Sequence, residues 1–181
     1  MKDIETGYNV PAKEVLHSYW KRWHVIEDLC KRLKWTKGIE LGVKDGKTFL
    51  HILRHCKNVS MTGIDVWENT STQDRDFKHE KNHRIVKRMT TLLPKERYKL
   101  IKGRTDEVHN QLDNKAYDFV FIDADHSVTA LERDIELYEP KVTQAVIGHD
   151  IHFESVREAV WNTYGADYII LPNKVWIHYI D

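Results

Sequence analysis

The sequence predicts an α/β fold: a mostly parallel, doubly wound sheet of seven strands with an antiparallel last strand and helices on both faces. Short apolar runs alternate with segments of helical period, and the chain closes on DYIILPNKVWIHYI, which breaks at Pro172-Asn173 as a hairpin does. Three of the runs end in acidic turns: GIELGVKDGKT near residue 40, TGIDVWE near 65 and YDFVFIDADHS near 120. Ligands of such sheets sit beyond the carboxyl ends of the strands, so these turns are expected to face one cleft.

Pro11 can open the first helix, in which Leu16, Trp20, Trp23, Ile26, Cys30 and Leu33 recur at three- or four-residue steps, predicting a core-facing stripe whose Trp pair could also line the pocket. Gly38 to Leu41 is the first strand, and Gly42 through Gly46 turn into a helix carrying Phe49, Leu50, Ile52 and Leu53. Met61 to Ile64 is the second strand, ending at Asp65. Polar residues Glu68 to Asn82 follow, with no regular apolar spacing until Ile85, Val86, Met89, Leu92 and Leu93; a mobile lid and then a helix are expected. Tyr98 to Ile101 ends at Gly103, and Glu107, Val108 and Leu112 suggest a short helix. Tyr117 to Ile122 is almost wholly apolar, as a centrally buried parallel strand requires. Ala130, Leu131, Ile135, Leu137 and Tyr138 make a helix stopped by Pro140, and Gln144 to Ile147 give a fifth strand ending in GHD. A helix with Val156, Ala159, Val160 and Trp161 stops at Gly165.

Composition bounds the function. At 181 residues the chain reads as one domain, 1–181, with an N-terminal helical segment over 1–36. Its 28 basic and 28 acidic residues cancel, so no summed field points to nucleic acid or an anionic membrane. No apolar stretch reaches the roughly 18 residues of a membrane span, and MKDIETGYNV has no signal-peptide core, so a soluble, cytoplasmic protein is expected. Cys30 and Cys56 read as reduced, buried thiols.

Each acidic turn has a chemical reading. Gly42 and Gly46 let the backbone turn sharply near a ligand, and Glu40 before them can attract a cationic amino group; the bland alternative is a pair of ordinary turn glycines. Asp65 lies at a strand end about 20 residues past the glycines, where a carboxylate accepts the ribose hydroxyls of an adenine nucleoside; otherwise it caps a helix. Trp67 behind it either stacks on adenine or packs. Asp123, Asp125, His149 and Asp150 come from adjacent strand ends, and three carboxylates with an imidazole call for a compensating cation or substrate. Oxygen ligands suit magnesium, or manganese when a histidine joins them. The alternative is that Asp123 caps a helix while Asp125 and His126 are solvated. His152, just past GHD, could also reach the cleft.

The stretches Glu40-Leu41-Gly42-Val43-Lys44-Asp45-Gly46-Lys47-Thr48, Ile64-Asp65, Ile122-Asp123-Ala124-Asp125-His126-Ser127 and Gly148-His149-Asp150 resemble class I S-adenosylmethionine-dependent methyltransferases, with their Rossmann-like sheet. The resemblance covers nearly everything after residue 36 and is closest to small metal-assisted O-methyltransferases acting on sugars or other small hydroxyl compounds. Lys44 departs from the glycine of many relatives. The resemblance implies that the first turn holds the methionyl moiety, that Gly103 and Arg104 meet the adenine, with Thr105 equally a helix N-cap, and that Asp123 and Asp150 match metal-ligand positions; Asp123 is counted with the cofactor residues too. His149 stands where relatives have an acid, so it is either the third ligand or a general base in a metal-free site; Asp125 is the other candidate base. It also implies a homodimer paired through the N-terminal helix or a sheet edge. A dinucleotide oxidoreductase would want G-x-G-x-x-G, which GVKDGK does not supply. A non-catalytic cofactor-binding module is the harder rival. No N-P-P-Y arrangement follows the fourth strand, which lowers a nucleic-acid substrate.

Overall fold

The computed structural model describes residues 20–68 and 79–180. In chain order its main elements are α1 (Arg22–Arg32), β1 (Lys37–Leu41), α2 (Lys47–His55), β2 (Ser60–Asp65), α3 (His79–Thr90), β3 (Tyr98–Lys102), α4 (Thr105–Val108), β4 (Tyr117–Ile122), α5 (Val128–Tyr138), β5 (Val142–Gly148), α6 (Glu154–Tyr164), β6 (Ile169–Leu171) and β7 (Val175–Tyr179). The seven strands form one sheet in the order β3-β2-β1-β4-β5-β7-β6, and β7 runs antiparallel to both of its neighbours. The direction of winding reverses between β1 and β4, which opens a crevice at their carboxyl ends.

Strand alternation divides the core into two layers. Phe119 and Phe121 of β4, Ala145 and Ile147 of β5, and Val175 and Ile177 of β7 face α1, α2 and α3. Val120, Ile122, Val146 and Trp176 face α5 and α6 on the other side. Each face is apolar because each is covered by helices, so β4 is apolar except for Asp118, which accepts the Thr36 and Lys37 N–H groups at the strand's start. Among the described residues no helix is long and apolar enough to cross a membrane.

Two expectations change. The stripe of α1 is rotated: Val25, Ile26, Leu29 and Cys30 are buried, Trp23 sits at the margin, and Leu33 is the C-cap with 41% exposure. A helix packed against both α2 and the sheet needs a face wider than a single seam, which adjacent pairs supply. Residues 11–19 lie outside the described residues. The helix after β2 begins at His79, inside the stretch expected to be a lid, and residues 69–78 of that stretch are outside the described residues. Cys30 and Cys56 are free and buried.

Register fixes the site's framework. Leu41 pairs with both Ile64 and Ile122, and Ile122 pairs with Gly148, so Gly42, Asp65, Asp123 and His149 follow at one edge. Backbone bonds from Gly42 N–H to Ile64 O and from Asp123 N–H to Leu41 O, both 2.9 Å, extend the ladder into the turns. A Cβ on Gly42 would lie 2.2 Å from the Asp123 carbonyl oxygen, and its φ of 84° is left-handed. Gly42→Ala should therefore cost about 3 kcal/mol or more in urea unfolding, from backbone overlap plus strain. Gly165→Ala, at φ 60° and ψ −119° with nothing within 4 Å, should cost the strain alone, about 1–2 kcal/mol. Equal losses would show that the approach of β1 to β4 is not what requires Gly42.

Candidate active site

A cavity of about 630 Å³ opens at the switch point, lined by Gly42, Asp65, Gly103, Arg104, Asp123 and Asp125 among others, so six of the sequence-predicted residues share it. They come from the ends of four parallel strands. Asp65 accepts the Lys44 N–H at 2.7 Å and the Trp67 N–H at 2.6 Å. Those bonds fix the first turn against the second while each carboxylate oxygen keeps a lone pair for another donor.

Glu40 and Gly46 do not line the cavity. Gly46 faces Val86, whose Cγ2 would lie 2.8 Å from an added Cβ. Glu40 is 2% exposed beneath the turn, and its Oε2 has no hydrogen-bond partner. Burial, then the nearby Asp123 charge, pushes its carboxyl well above the usual range, with Arg22 opposing. It is an acid that a cation at the cleft would favour ionising. Trp67 is fully buried, donates to the Lys44 carbonyl at 2.9 Å and stacks on His83, so it packs and does not form the cleft wall. Nor does the Trp pair of the first helix, since Trp20 lines a separate hollow with His24, Glu27, Asp28 and Lys31. Arg104 is the N-cap of α4 and pairs with Asp106 at 3.1 Å; Thr105 follows it, its carbonyl accepting the Tyr138 hydroxyl.

Asp123, His149 and Asp150 do converge. His149 Nδ1 lies 3.5 Å from Asp123 Oδ1 and 3.2 Å from Asp150 Oδ2, while its Nε2 meets the Asn173 carbonyl at 3.1 Å. A proton on Nε2 satisfies that carbonyl and leaves Nδ1 a bare lone pair between two carboxylates. His126, for which a solvated position was the alternative, joins them with Nε2 3.2 Å from Asp150 Oδ2, and His152 Nδ1 comes within 3.4 Å of Asp150 Oδ1. Atoms of Asp123, His126 and Asp150 all lie within 4.8 Å of one another, and His126 Nε2 and His149 Nδ1 are buried without hydrogen-bond partners. Orphaned nitrogens between carboxylates fit a bound cation. Asp125 stands at the cleft wall with Oδ1 accepting the Ser127 N–H at 2.8 Å.

Three contributors carry no sequence signal of their own. Arg22 of α1 reaches across the sheet edge, its Nε 3.0 Å from Asp123 Oδ2 and 3.2 Å from Thr48 Oγ1. Asn173 belongs to the hairpin turn, where it and Lys174 take positive φ, and it anchors His149 from a distant part of the chain. Asp134 lines the cavity from α5 although it is 3% exposed. In the sequence it stands among the charged residues Glu132, Arg133 and Glu136 and reads as one more surface acid.

A crevice at the β1/β4 switch point of a sheet whose seventh strand is antiparallel is that of a class I, S-adenosylmethionine-dependent methyltransferase. The methyltransferase domain family (Methyltransf_24) matches residues 39–151, and the chain belongs to it. Solved structures agree in fold. A Staphylococcus aureus protein provisionally described as a caffeoyl-CoA O-methyltransferase has a TM-score of 0.65 at 17% identity, over 88% of this chain and 82% of that one. The Bacillus cereus O-methyltransferase in complex with S-adenosylhomocysteine gives 0.63 at 14%, over 97% and 86%. The S-adenosylhomocysteine-bound methyltransferase PaMTH1 of Podospora anserina gives 0.62 at 13%, over 88% and 78%. No curated protein matches the chain.

Burial lifts the Asp134 carboxyl to about 6, with a hydrogen bond to Thr105 opposing. The native state then holds this proton more tightly than the unfolded chain, so stability should fall as pH rises from about 4 to about 6 and level off above, as far as this group is concerned. Asp134→Asn should remove that slope, by up to about 3 kcal/mol at neutral pH. Denaturant unfolding at stepped pH measures it, and an unchanged slope would assign the proton elsewhere.

Proposed function

We propose that the chain transfers a methyl group from S-adenosylmethionine to a hydroxyl of a small polar acceptor, a sugar or related metabolite, with help from a divalent ion. The observation that carries this reading is the cluster of Asp123, His126, His149 and Asp150, which leaves two buried imidazole nitrogens unpartnered beside a nucleoside-sized cleft. The names of the Staphylococcus aureus and Bacillus cereus structures support oxygen as the acceptor atom.

Bound in the cleft, the cofactor would supply a sulfonium methyl: the acceptor oxygen would bond to that carbon with inversion as the carbon–sulfur bond breaks, S-adenosylhomocysteine would leave, and the hydroxyl proton would pass to a base. Asp65 would accept the ribose hydroxyls, Gly103 and Arg104 would border the adenine, and Glu40 would balance the cationic end from below the first turn. Asp123, His126 and Asp150 would hold Mg²⁺ or Mn²⁺, which lowers the proton affinity of a coordinated hydroxyl, with His149 as a further ligand or as the base. Asp125 is the other candidate base, since it stands at the cleft wall where an acceptor proton could be delivered. Holding acceptor and cofactor in line supplies much of the acceleration, several kcal/mol by typical effective molarities.

Two measurements test the reading. By calorimetry the protein should bind S-adenosylhomocysteine and not NAD, and Asp65→Ala should weaken binding by about 1.5–3 kcal/mol as bonds to a charged acceptor are lost. Thermal melts of the same variant report the separate loss of its two backbone bonds, and unchanged affinity would remove Asp65 from the site. In transfer assays chelation should abolish activity and Mg²⁺ or Mn²⁺ restore it, while Asp123→Asn loses the metal and Asp125→Asn slows transfer by about a hundredfold. Activity that survives chelation but is lost in His149→Ala would replace the metal by His149 as base. Binding without transfer to any hydroxyl acceptor would favour a non-catalytic module.

A further inference from the structure

We propose that Glu27, His51 and His55 form a second divalent-cation site, of the transition-metal class typified by zinc, which ties α1 to α2. His51 and His55 are one turn apart on α2 and so share a face, their rings stacked at 4.2 Å with a 21° tilt. Glu27 reaches across from α1 and places Oε2 2.6 Å from His51 Nε2. One ligand atom from each of the three residues lies within 4.8 Å of the others.

The surroundings favour a cation. Burial opposes ionisation of Glu27, yet hydrogen bonds from Lys31 and His51 hold its carboxyl below the usual range. Burial also lowers the proton affinity of His51, against the pull of Glu27. Lys31 holds the second Glu27 oxygen, the kind of supporting contact that orients a ligating carboxylate. Side chains of Glu27 and His51 are 17% and 16% exposed, whereas His55 is exposed and gives an ion its entry. His24 is not counted, because its ring nitrogens face the Lys21 N–H at 3.1 Å and the Trp23 Nε1 at 3.2 Å.

Two imidazoles and one carboxylate are the donor set of a tetrahedral zinc site with one position left for water, and a poor set for magnesium, which wants oxygen. The ion would take the place of the proton that Glu27 and His51 now share. Because α1 also carries Arg22, whose Nε lies 3.0 Å from Asp123, a cross-link between α1 and α2 would hold that guanidinium at the active-site edge. The two candidate sites thus differ in ligand chemistry and are separable by choice of metal.

The test uses the full chain with Zn²⁺ in competition against a chromophoric chelator, Co²⁺ absorption as the geometric reporter, and hydrogen exchange over residues 22–32. Zn²⁺ should raise the thermal midpoint and protect α1, and excess Mg²⁺ should not displace it. His55→Ala, at an exposed position, should weaken Zn²⁺ binding by at least about tenfold, since losing even a supporting contact costs that much. His51→Ala should do the same, and Asp150→Asn should leave this site's affinity unchanged. Circular dichroism of His55→Ala checks that the variant is folded. No binding of Zn²⁺, or binding unaltered in both histidine variants, overturns the proposal; so does binding lost in Asp150→Asn but kept in His55→Ala.

Discussion

The contact on which the rest of the structure depends is the backbone approach of β1 to β4 at their carboxyl ends, where Gly42 lies against the Asp123 carbonyl. Parallel pairing sets Leu41 beside both Ile64 and Ile122, so three turns emerge at one level of the sheet and not at staggered heights. A side chain at position 42 would drive the first and fourth strand ends apart. The ladder bonds that carry the turns, from Gly42 to Ile64 and from Asp123 to Leu41, would then be lost together.

That framework gathers acids where water is scarce. Glu40 and Asp134 are buried with carboxyls pushed upward, and Asp123 and Asp150 share a cluster with His126 and His149. Arg22 provides one positive charge against the carboxylate pair. Such an arrangement is costly to the empty fold, because each desolvated acid must keep a proton or find a cation. It is also what a site for a cationic cofactor needs, since the field that burdens the apo protein favours a positive ligand. Stability and binding pull on the same residues.

Much of the fold was legible because a buried parallel sheet leaves an unmistakable record. Tyr117–Ile122 is buried on two faces and therefore apolar at every position but Asp118, and each following helix carries its own periodic face. The helix α1 was read in outline and rotated in detail, since Val25 and Leu29 lie beside the predicted seam and bury as fully as Ile26 and Cys30. Trp67 shows the limit of reading a side chain by its sequence neighbours. Its place after Asp65 leaves adenine stacking and packing equally open, and the bond to Lys44 O and the stack on His83 decide for the core.

By itself the sequence determined the strand-helix order, the hairpin that brings β7 in antiparallel, and the acidic turns at the strand ends, because each is written in local periodicity and residue chemistry. Only the tertiary structure decided which side chains those turns share. Arg22, Asp134 and Asn173 enter from α1, α5 and the last hairpin turn, all outside the motifs themselves. His126 joins the cluster and Gly46 leaves the cleft for the same reason. Where a side chain points is set by the packing of distant elements, and no spacing along the chain encodes that.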